Sequence, residues 1–224
     1  MTEKSTISEN DFNLLSTAIQ GLLLKTGFAK THEEESAVFS MLGAVIMKGK
    51  LGIPCRPVVG DWYIHHPNGE TVLGIGKAIG KPAEPKSAGI HAWIQTETHI
   101  IDLMSPMYPE IFSAANSLSP VPRKMLQVPR TDDAKNWEEF LQGAPLMANP
   151  NVELSKTLLD KVANDQDCGD LAGALLHWWP KLMADSKAIL AFHPVRGDGL
   201  AIARNGHPAV GGWKGPEVIK KTMQ

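Results

Sequence analysis

The sequence predicts an α+β protein: a central helix packed on an antiparallel sheet, with a helical and β elaboration toward the C-terminus. Apolar residues recur at helical spacing over 8–26 and 32–50. The segments from about 56 to 104 are short, rich in Val, Ile, Trp and Tyr, and separated by turn residues, as is typical of strands. The chain has 224 residues and is 43% hydrophobic, which is enough to bury one large core. We therefore expect one domain over 1–224.

Two helices are expected in the N-terminal third. The first, over 8–26, ends at Gly27. The second, over 32–50, follows a capping box in which the Thr31 hydroxyl bonds the amide three residues on while Glu34 reaches back. This second helix also carries three small residues: Ser40, Gly43 and Ala44. Small side chains let a helix approach a sheet closely, so it is the expected central helix.

Four strands are expected next, in two hairpins. The first hairpin joins 56–66 to 70–77 through Asn68-Gly69, a dipeptide that suits a type I′ turn because both residues take positive φ readily. The second hairpin joins 90–96 to 99–104. Together these segments supply the antiparallel sheet.

The C-terminal half has a weaker pattern. Five prolines within 105–135 indicate a long wrapping connection. The remaining residues, 136–224, form the expected elaboration. Its predicted helices cover 137–141, 152–163 and 169–185, and its predicted strands cover 188–193 and 200–204.

Charge and composition exclude several classes of protein. The chain has 22 Lys and Arg against 24 Asp and Glu, so it offers no basic surface for nucleic acid. No apolar run approaches the roughly 20 residues of a membrane helix, and the polar start has no signal-peptide pattern. We therefore expect a cytoplasmic protein without nucleic-acid or membrane partners. Cys55 and Cys168 have no metal-ligand or disulfide-framework spacing, and no metal or cofactor is expected.

His91 and Asp102 are a candidate catalytic pair on the second predicted hairpin. A turn centred near residues 96 and 97 would place them directly opposite each other, with Cβ atoms roughly 5 Å apart. An aspartate at that distance can hold an imidazole in the tautomer that a general base needs. The alternative is an ordinary strand histidine with an incidental acidic neighbour.

Two segments resemble the transglutaminase-like core of the papain-type superfamily. Residues 51–60 read Leu-Gly-Ile-Pro-Cys-Arg-Pro-Val-Val-Gly, and His91 opens a His-Ala-Trp sequence that is followed by Asp102. In that family a helix begins with the nucleophilic cysteine and ends in Gly-Ile-Pro-Ala-Arg. The histidine stands in His-Ala-Trp, and the aspartate lies on the next strand. The resemblance covers about 31–106 and implies a papain/transglutaminase-like core, with His91 as base and Asp102 as the group that orients it.

The nucleophile is the part of the family pattern that this sequence lacks. The family spacing counted back from Gly52 reaches Ala37, and a shift of one residue reaches Ser36. Ser36 is therefore the candidate nucleophile, and a small helix residue that packs on the sheet is the alternative. Cys55 lies at the wrong end of the helix and is expected to be a packing residue. Cys168, just before a predicted helix, is the second candidate, although neighbouring aspartates oppose its ionisation.

Two functions follow from these residues. The first is acyl transfer or hydrolysis at amide or ester bonds by Ser36, His91 and Asp102. The second is a catalytically inactive descendant of the fold that binds a peptide or small-molecule ligand in a retained cleft. A Ser Oγ or Cys Sγ within about 4 Å of His91 would favour this enzyme, and the lack of one would refute it.

Overall fold

A computed structural model describes residues 6–65, 72–75, 77–79, 90–113, 121–185, 190–192, 200–202 and 208–213. The helices in these residues are α1 (Glu9–Thr26), α2 (His32–Gly49), α3 (Tyr108–Ser113), α4 (Trp137–Leu141), α5 (Val152–Ala163) and α6 (Gln166–Ala184). The strands are β1 (Cys55–His65), β2 (Val72–Gly74), β3 (Lys77–Ile79), β4 (Ile90–Thr96), β5 (His99–Asp102), β6 (Leu126–Pro129), β7 (Leu146–Pro150), β8 (Leu190–Phe192) and β9 (Leu200–Ile202). The predicted α+β class is confirmed.

The start of α2 is fixed by the predicted cap. The Thr31 hydroxyl accepts a hydrogen bond from the Glu34 amide at 3.3 Å. The Glu34 carboxylate reaches back to the amide of Lys30 at 3.1 Å, one residue before the expected partner. His32 is therefore the first residue of the helix, and this position matters for the site described below.

Helix α2 is the central helix and packs closely on the sheet. It runs against β4 and β1, and a Cβ added at Gly43 would overlap the side chains of Leu103 and Ile94. The prediction that small residues allow this approach is confirmed. Gly43 allows this close approach, because a larger side chain here would have to displace the ends of the Leu103 and Ile94 side chains.

In the described residues the main sheet has seven strands, and their pairings are antiparallel. The strand order is β3-β2-β1-β4-β5-β6, and β7 also pairs with β1. The long strand β1 therefore has β7 along one edge, and β4 and then β2 along the other. The predicted Asn68-Gly69 turn lies outside the described residues.

The sheet includes three strands that the sequence did not predict: β3, at the end of the segment 70–77 that was predicted as one strand, and also β6 and β7. Within the predicted connection over 105–135, the chain forms a 3-10 turn (Ser105–Met107), α3 and β6. Strand β6 pairs along β5, and β7 pairs along β1. Both strands are only four or five residues long and end in proline. Such short segments carry little periodicity, and their partners in the tertiary structure decide that they are strands.

Apart from β7, the described elements of residues 136–224 agree with prediction except in their bounds. Helices α4 and α5 lie where expected, while α6 begins at Gln166, three residues earlier than predicted. Strands β8 and β9 pair as an antiparallel hairpin. Helix α6 packs on α2 and buries Trp178 and Trp179. Leu171 and Leu175 of α6 belong to the same core cluster as the apolar face of α2.

Two apolar clusters lie on opposite faces of the sheet. One contains α1, α2 and α6 together with Ala92 and Ile94 of β4. The other contains Trp62, Trp93 and Tyr108. Since side chains alternate between faces along a strand, the face that carries Trp93 also carries His91. The beginning of β4 is where the second cluster meets the start of α2.

Candidate functional site

His91 and Asp102 are in contact, as the sequence predicted. His91 Nε2 lies 3.0 Å from Asp102 Oδ2, and the two residues are 0% and 1% exposed. The predicted register is wrong by two residues, because the ladder pairs Ile94 with Ile101 and its continuation places Asp102 opposite Trp93. The contact forms along the diagonal instead, since diagonal neighbours on one face of a sheet remain within reach of a long side chain.

The Asp102 carboxylate receives two further hydrogen bonds. The Tyr108 hydroxyl donates to Oδ2, and the Met104 amide donates to Oδ1 at 2.9 Å. Burial, and then the charge and hydrogen bond of Asp102, raise the pKa of Tyr108 well above its ordinary value, so this residue stays a phenol and a donor. The Ser105 hydroxyl bonds the backbone oxygen of Asp102 at 2.8 Å and fixes the turn that follows β5. The carboxylate is thus held rigidly against His91.

This network leaves the second nitrogen of His91 available. Because Nε2 donates its hydrogen to the carboxylate, Nδ1 carries the lone pair. Nδ1 is buried and has no hydrogen-bond partner within the described part of the chain. A buried imidazole with one nitrogen oriented by a carboxylate and the other open is the arrangement of a general base.

The imidazole of His32, at the start of α2, lies beside the imidazole of His91. The imidazoles of His32 and His91 stack with ring centroids 5.8 Å apart and planes inclined by 17°. His32 Nε2 is also buried and, among the described residues, unpartnered. Burial, and then the nearby His91, lower the pKa of His32 to about 4, so its ring is neutral at pH 7. We call His91 Nδ1 and His32 Nε2 the open nitrogens.

An aromatic wall borders the pair. The Trp62 ring lies 5.1 Å from the His91 ring and 5.2 Å from the Trp93 ring, measured between centroids. Trp62 and Trp93 are both fully buried. The indoles hold the imidazole of His91 in place and lower the local polarity, which strengthens its hydrogen bond to Asp102.

Ser36, the candidate nucleophile, bonds the amide of Ala92, the residue after His91, and its hydroxyl is engaged there. Its hydroxyl donates to the Glu33 carbonyl at 3.0 Å and accepts from the Ala92 amide at 3.1 Å. The side chain is fully buried between α2 and β4. These bonds favour the packing alternative, and the catalytic role of Ser36 stays a prediction.

Neither thiol is poised for attack. In the β1–β4 ladder Cys55 is paired with Thr96, whereas His91 is paired with Gly60. Cys55 and Gly60 are five residues apart on β1, so the thiol lies roughly 16 Å along the strand from the level of His91. Its sulfur contacts the Ala44 carbonyl, and burial raises its pKa. Burial, and then Asp165, raise the pKa of Cys168 to about 11, so that thiol is protonated at neutral pH.

Sequence reasoning missed His32 and Tyr108. The signal for His32 was available, because the Thr31 cap places the helix start at residue 32 and the family resemblance places the reactive residue at that start. The family spacing counted back from Gly52 reaches Ala37 instead of the helix start. The reason is that α2 has 18 residues and begins at His32, farther from Gly52 than that spacing reaches. Tyr108 had no such signal, since it lies in the proline-rich stretch where periodicity fails.

The described residues contain neither a metal-binding cluster nor a membrane-spanning helix. No group of three or more His, Cys, Asp or Glu side chains there could hold a metal ion. Within the same ranges, every helix is too short or too polar to cross a membrane.

The fold and the site define an α+β protein with a buried His–Asp–Tyr network where an antiparallel sheet meets its central helix. The chain belongs to the family described as "Protein of unknown function (DUF2026)", whose model matches residues 8–213. A solved structure described as "The crystal structure of genomics APC5867" is similar, with a TM-score of 0.75 and 23% identity. The match covers 94% of this chain and 98% of that one, and this likeness concerns the fold alone. No curated protein matches the chain.

Proposed function

We propose that this protein catalyses hydrolysis or acyl transfer at amide or ester bonds, with His91 as the general base. The observation that carries the proposal is the open Nδ1 of His91 at the end of a network that orients the ring. Buried polar atoms in proteins are almost always hydrogen-bonded, and exceptions require an explanation. A base that awaits the proton of its substrate supplies one, and the family resemblance in 51–60 and 91–102 supports the same chemistry.

The proposed base acts on water or on a substrate hydroxyl rather than on a protein nucleophile. Ser36 already makes two hydrogen bonds, and the thiol of Cys168 is protonated at neutral pH. Neither contributes a bond to His91 Nδ1. Direct attack by a bound hydroxyl needs only an oriented base and a polarised carbonyl.

The reaction proceeds in two proton transfers. His91 Nδ1 takes a proton from the attacking hydroxyl while the oxygen bonds to the carbonyl carbon and the carbonyl electrons move to its oxygen. The resulting imidazolium is stabilised by Asp102, which Tyr108 and the Met104 amide hold in place. When the tetrahedral intermediate collapses, the bond to the amine or alkoxide breaks, and His91 returns the proton to that leaving group.

A second candidate function is ligand binding without chemistry. It is favoured by the lack of a poised nucleophile: the Ser36 hydroxyl is engaged with Glu33 O and the Ala92 amide, and the Cys168 thiol has its pKa raised to about 11. A retained cleft would then hold a peptide or small molecule against the open nitrogens without turnover. The two functions predict opposite results in one experiment.

The experiment measures turnover of p-nitrophenyl esters and peptide p-nitroanilides by the purified protein and by His91→Gln. We expect His91→Gln to lower kcat by about 10²–10⁴-fold, the usual contribution of a general base. The matched control is His177→Gln, because His177 is exposed on α6 and should leave kcat unchanged. No turnover by the wild type, or turnover that His91→Gln leaves intact, refutes the proposal. Saturable binding without turnover supports the ligand-binding function instead.

A further inference from the structure

We propose that His32 is a second catalytic residue of this site. Its Nε2–H donates a hydrogen bond to the oxygen from which His91 takes a proton. This inference rests on the proposed function, because it assigns a role within the same reaction. It adds a residue that the family pattern does not contain, at the first position of the central helix.

The first support is the arrangement of the open nitrogens. An unsatisfied buried polar atom costs roughly 1–3 kcal/mol, so two of them on adjacent stacked rings indicate one shared partner. His91 Nδ1 is an acceptor, because its Nε2–H is committed to Asp102. The shared partner must therefore donate to His91. A water or hydroxyl that does so has a lone pair left to accept a hydrogen bond from His32.

The second support is the charge of His32. Burial and the neighbouring His91 hold the pKa of His32 at about 4, so the ring enters the reaction neutral. When His91 becomes an imidazolium, its charge opposes protonation of His32 still more strongly. His32 thus remains a neutral hydrogen-bond donor throughout, and no bond of His32 is made or broken. It positions the attacking oxygen and leaves the proton transfer to His91.

The third support is the rigidity of the position. His32 belongs to the first turn of α2, which is held by the bonds of Thr31 and Glu34. Ser36, directly after that turn, ties the helix to β4 by accepting a hydrogen bond from the Ala92 amide. A group fixed by a helix and a strand keeps the geometry that orientation catalysis requires, whereas a loop residue would not.

The first test reads the tautomers of both rings and does not depend on turnover. Long-range ¹H–¹⁵N spectra of the wild type at pH 7, assigned with His32→Gln and His91→Gln, should give the Nε2–H form for both residues. The control His177→Gln should leave both patterns unchanged. If His32 carries its hydrogen on Nδ1 alone, its Nε2 cannot donate and the inference is overturned.

The second test separates His32 from the base by kinetics. His32→Phe keeps a stacked ring but removes the donor, and His32→Gln keeps a donor. We expect His32→Phe to lower kcat by about 10²-fold with little change in KM, because the attacking oxygen is no longer held in position for attack. His32→Gln should recover part of that loss. If His32→Phe keeps the wild-type kcat while His91→Gln is inactive, this inference fails and the proposed function stands. If the wild type itself turns over no ester or amide, both fail.

Discussion

Replacing Ser36 by alanine separates its structural role from its predicted catalytic role. The hydroxyl joins α2 to β4, since it donates to Glu33 O and accepts from the Ala92 amide. In Ser36→Ala the Ala92 amide is left buried without that partner. The variant should therefore lose stability while the chemistry of His91 remains intact.

The magnitude follows from the bonds that are lost. An unsatisfied buried amide costs roughly 1–3 kcal/mol. The higher helix propensity of alanine returns up to about 0.5 kcal/mol. Ser40 is the matched control, because it is also buried in α2 and donates to the carbonyl three residues before it, Ala37 O, at 2.9 Å. Within the described part of the chain Ser40 makes no hydrogen bond to the sheet, so Ser40→Ala should change stability by less than about 0.5 kcal/mol.

The assay is urea unfolding of the wild type and both variants, compared at constant m-value. We expect the midpoint of Ser36→Ala to fall well below that of Ser40→Ala. Equal midpoints would refute the reasoning, because the bond to Ala92 would then contribute nothing. Turnover of the ester probes gives the second readout. If folded Ser36→Ala loses all activity, Ser36 is the nucleophile and our proposal of direct attack by water is wrong.

Four further outcomes follow from the structure. Tyr108→Phe removes a donor from buried Asp102 and should lower the free energy of unfolding by about 1.5–3 kcal/mol, measured by urea unfolding; an unchanged midpoint would contradict the role of this bond. Gly60→Ala should destabilise the protein strongly in thermal melts, because the new Cβ would overlap the backbone of β7, and a wild-type melting temperature would show that the strands can separate without cost. His32 has a pKa of about 4 in the folded protein against an ordinary value of 6.5, so its contribution to stability is complete above pH 6.5 and is lost as the pH falls toward 4. His32→Gln should therefore flatten the curve of unfolding free energy against pH between these values. An equally steep curve for the variant would contradict the lowered pKa of His32. Cys168 should react with a thiol reagent at pH 7.5 only on unfolding, because burial raises its pKa to about 11, and rapid labelling of the folded protein would contradict this.

Local patterns in the sequence predicted the framework that holds the site. Helical periodicity and the Thr31 cap gave α2 nearly to its end, because these signals act within a few residues. Alternation and the turn near residue 97 gave the hairpin of β4 and β5, and hence the contact of His91 with Asp102. The register of that hairpin was wrong by two residues, since cross-strand hydrogen bonds and not the local sequence select it.

The sequence by itself determined the α+β class, the central helix and the pairing of His91 with Asp102, because each depends on spacing between near neighbours in the chain. Only the tertiary structure decided that β6 and β7 complete the sheet, that Tyr108 completes the network, and that His32 stacks on His91. The contacts of His32 with His91 and of β7 with β1 join segments that lie far apart in the sequence, and they form because the packed core brings their surfaces together. Tyr108 lies only six residues after Asp102, but the turn between them, and not a local pattern, directs its hydroxyl to the carboxylate. The difference is one of range: propensity and capping are local, whereas burial, strand partners and the partner of an open nitrogen are decided by the whole fold.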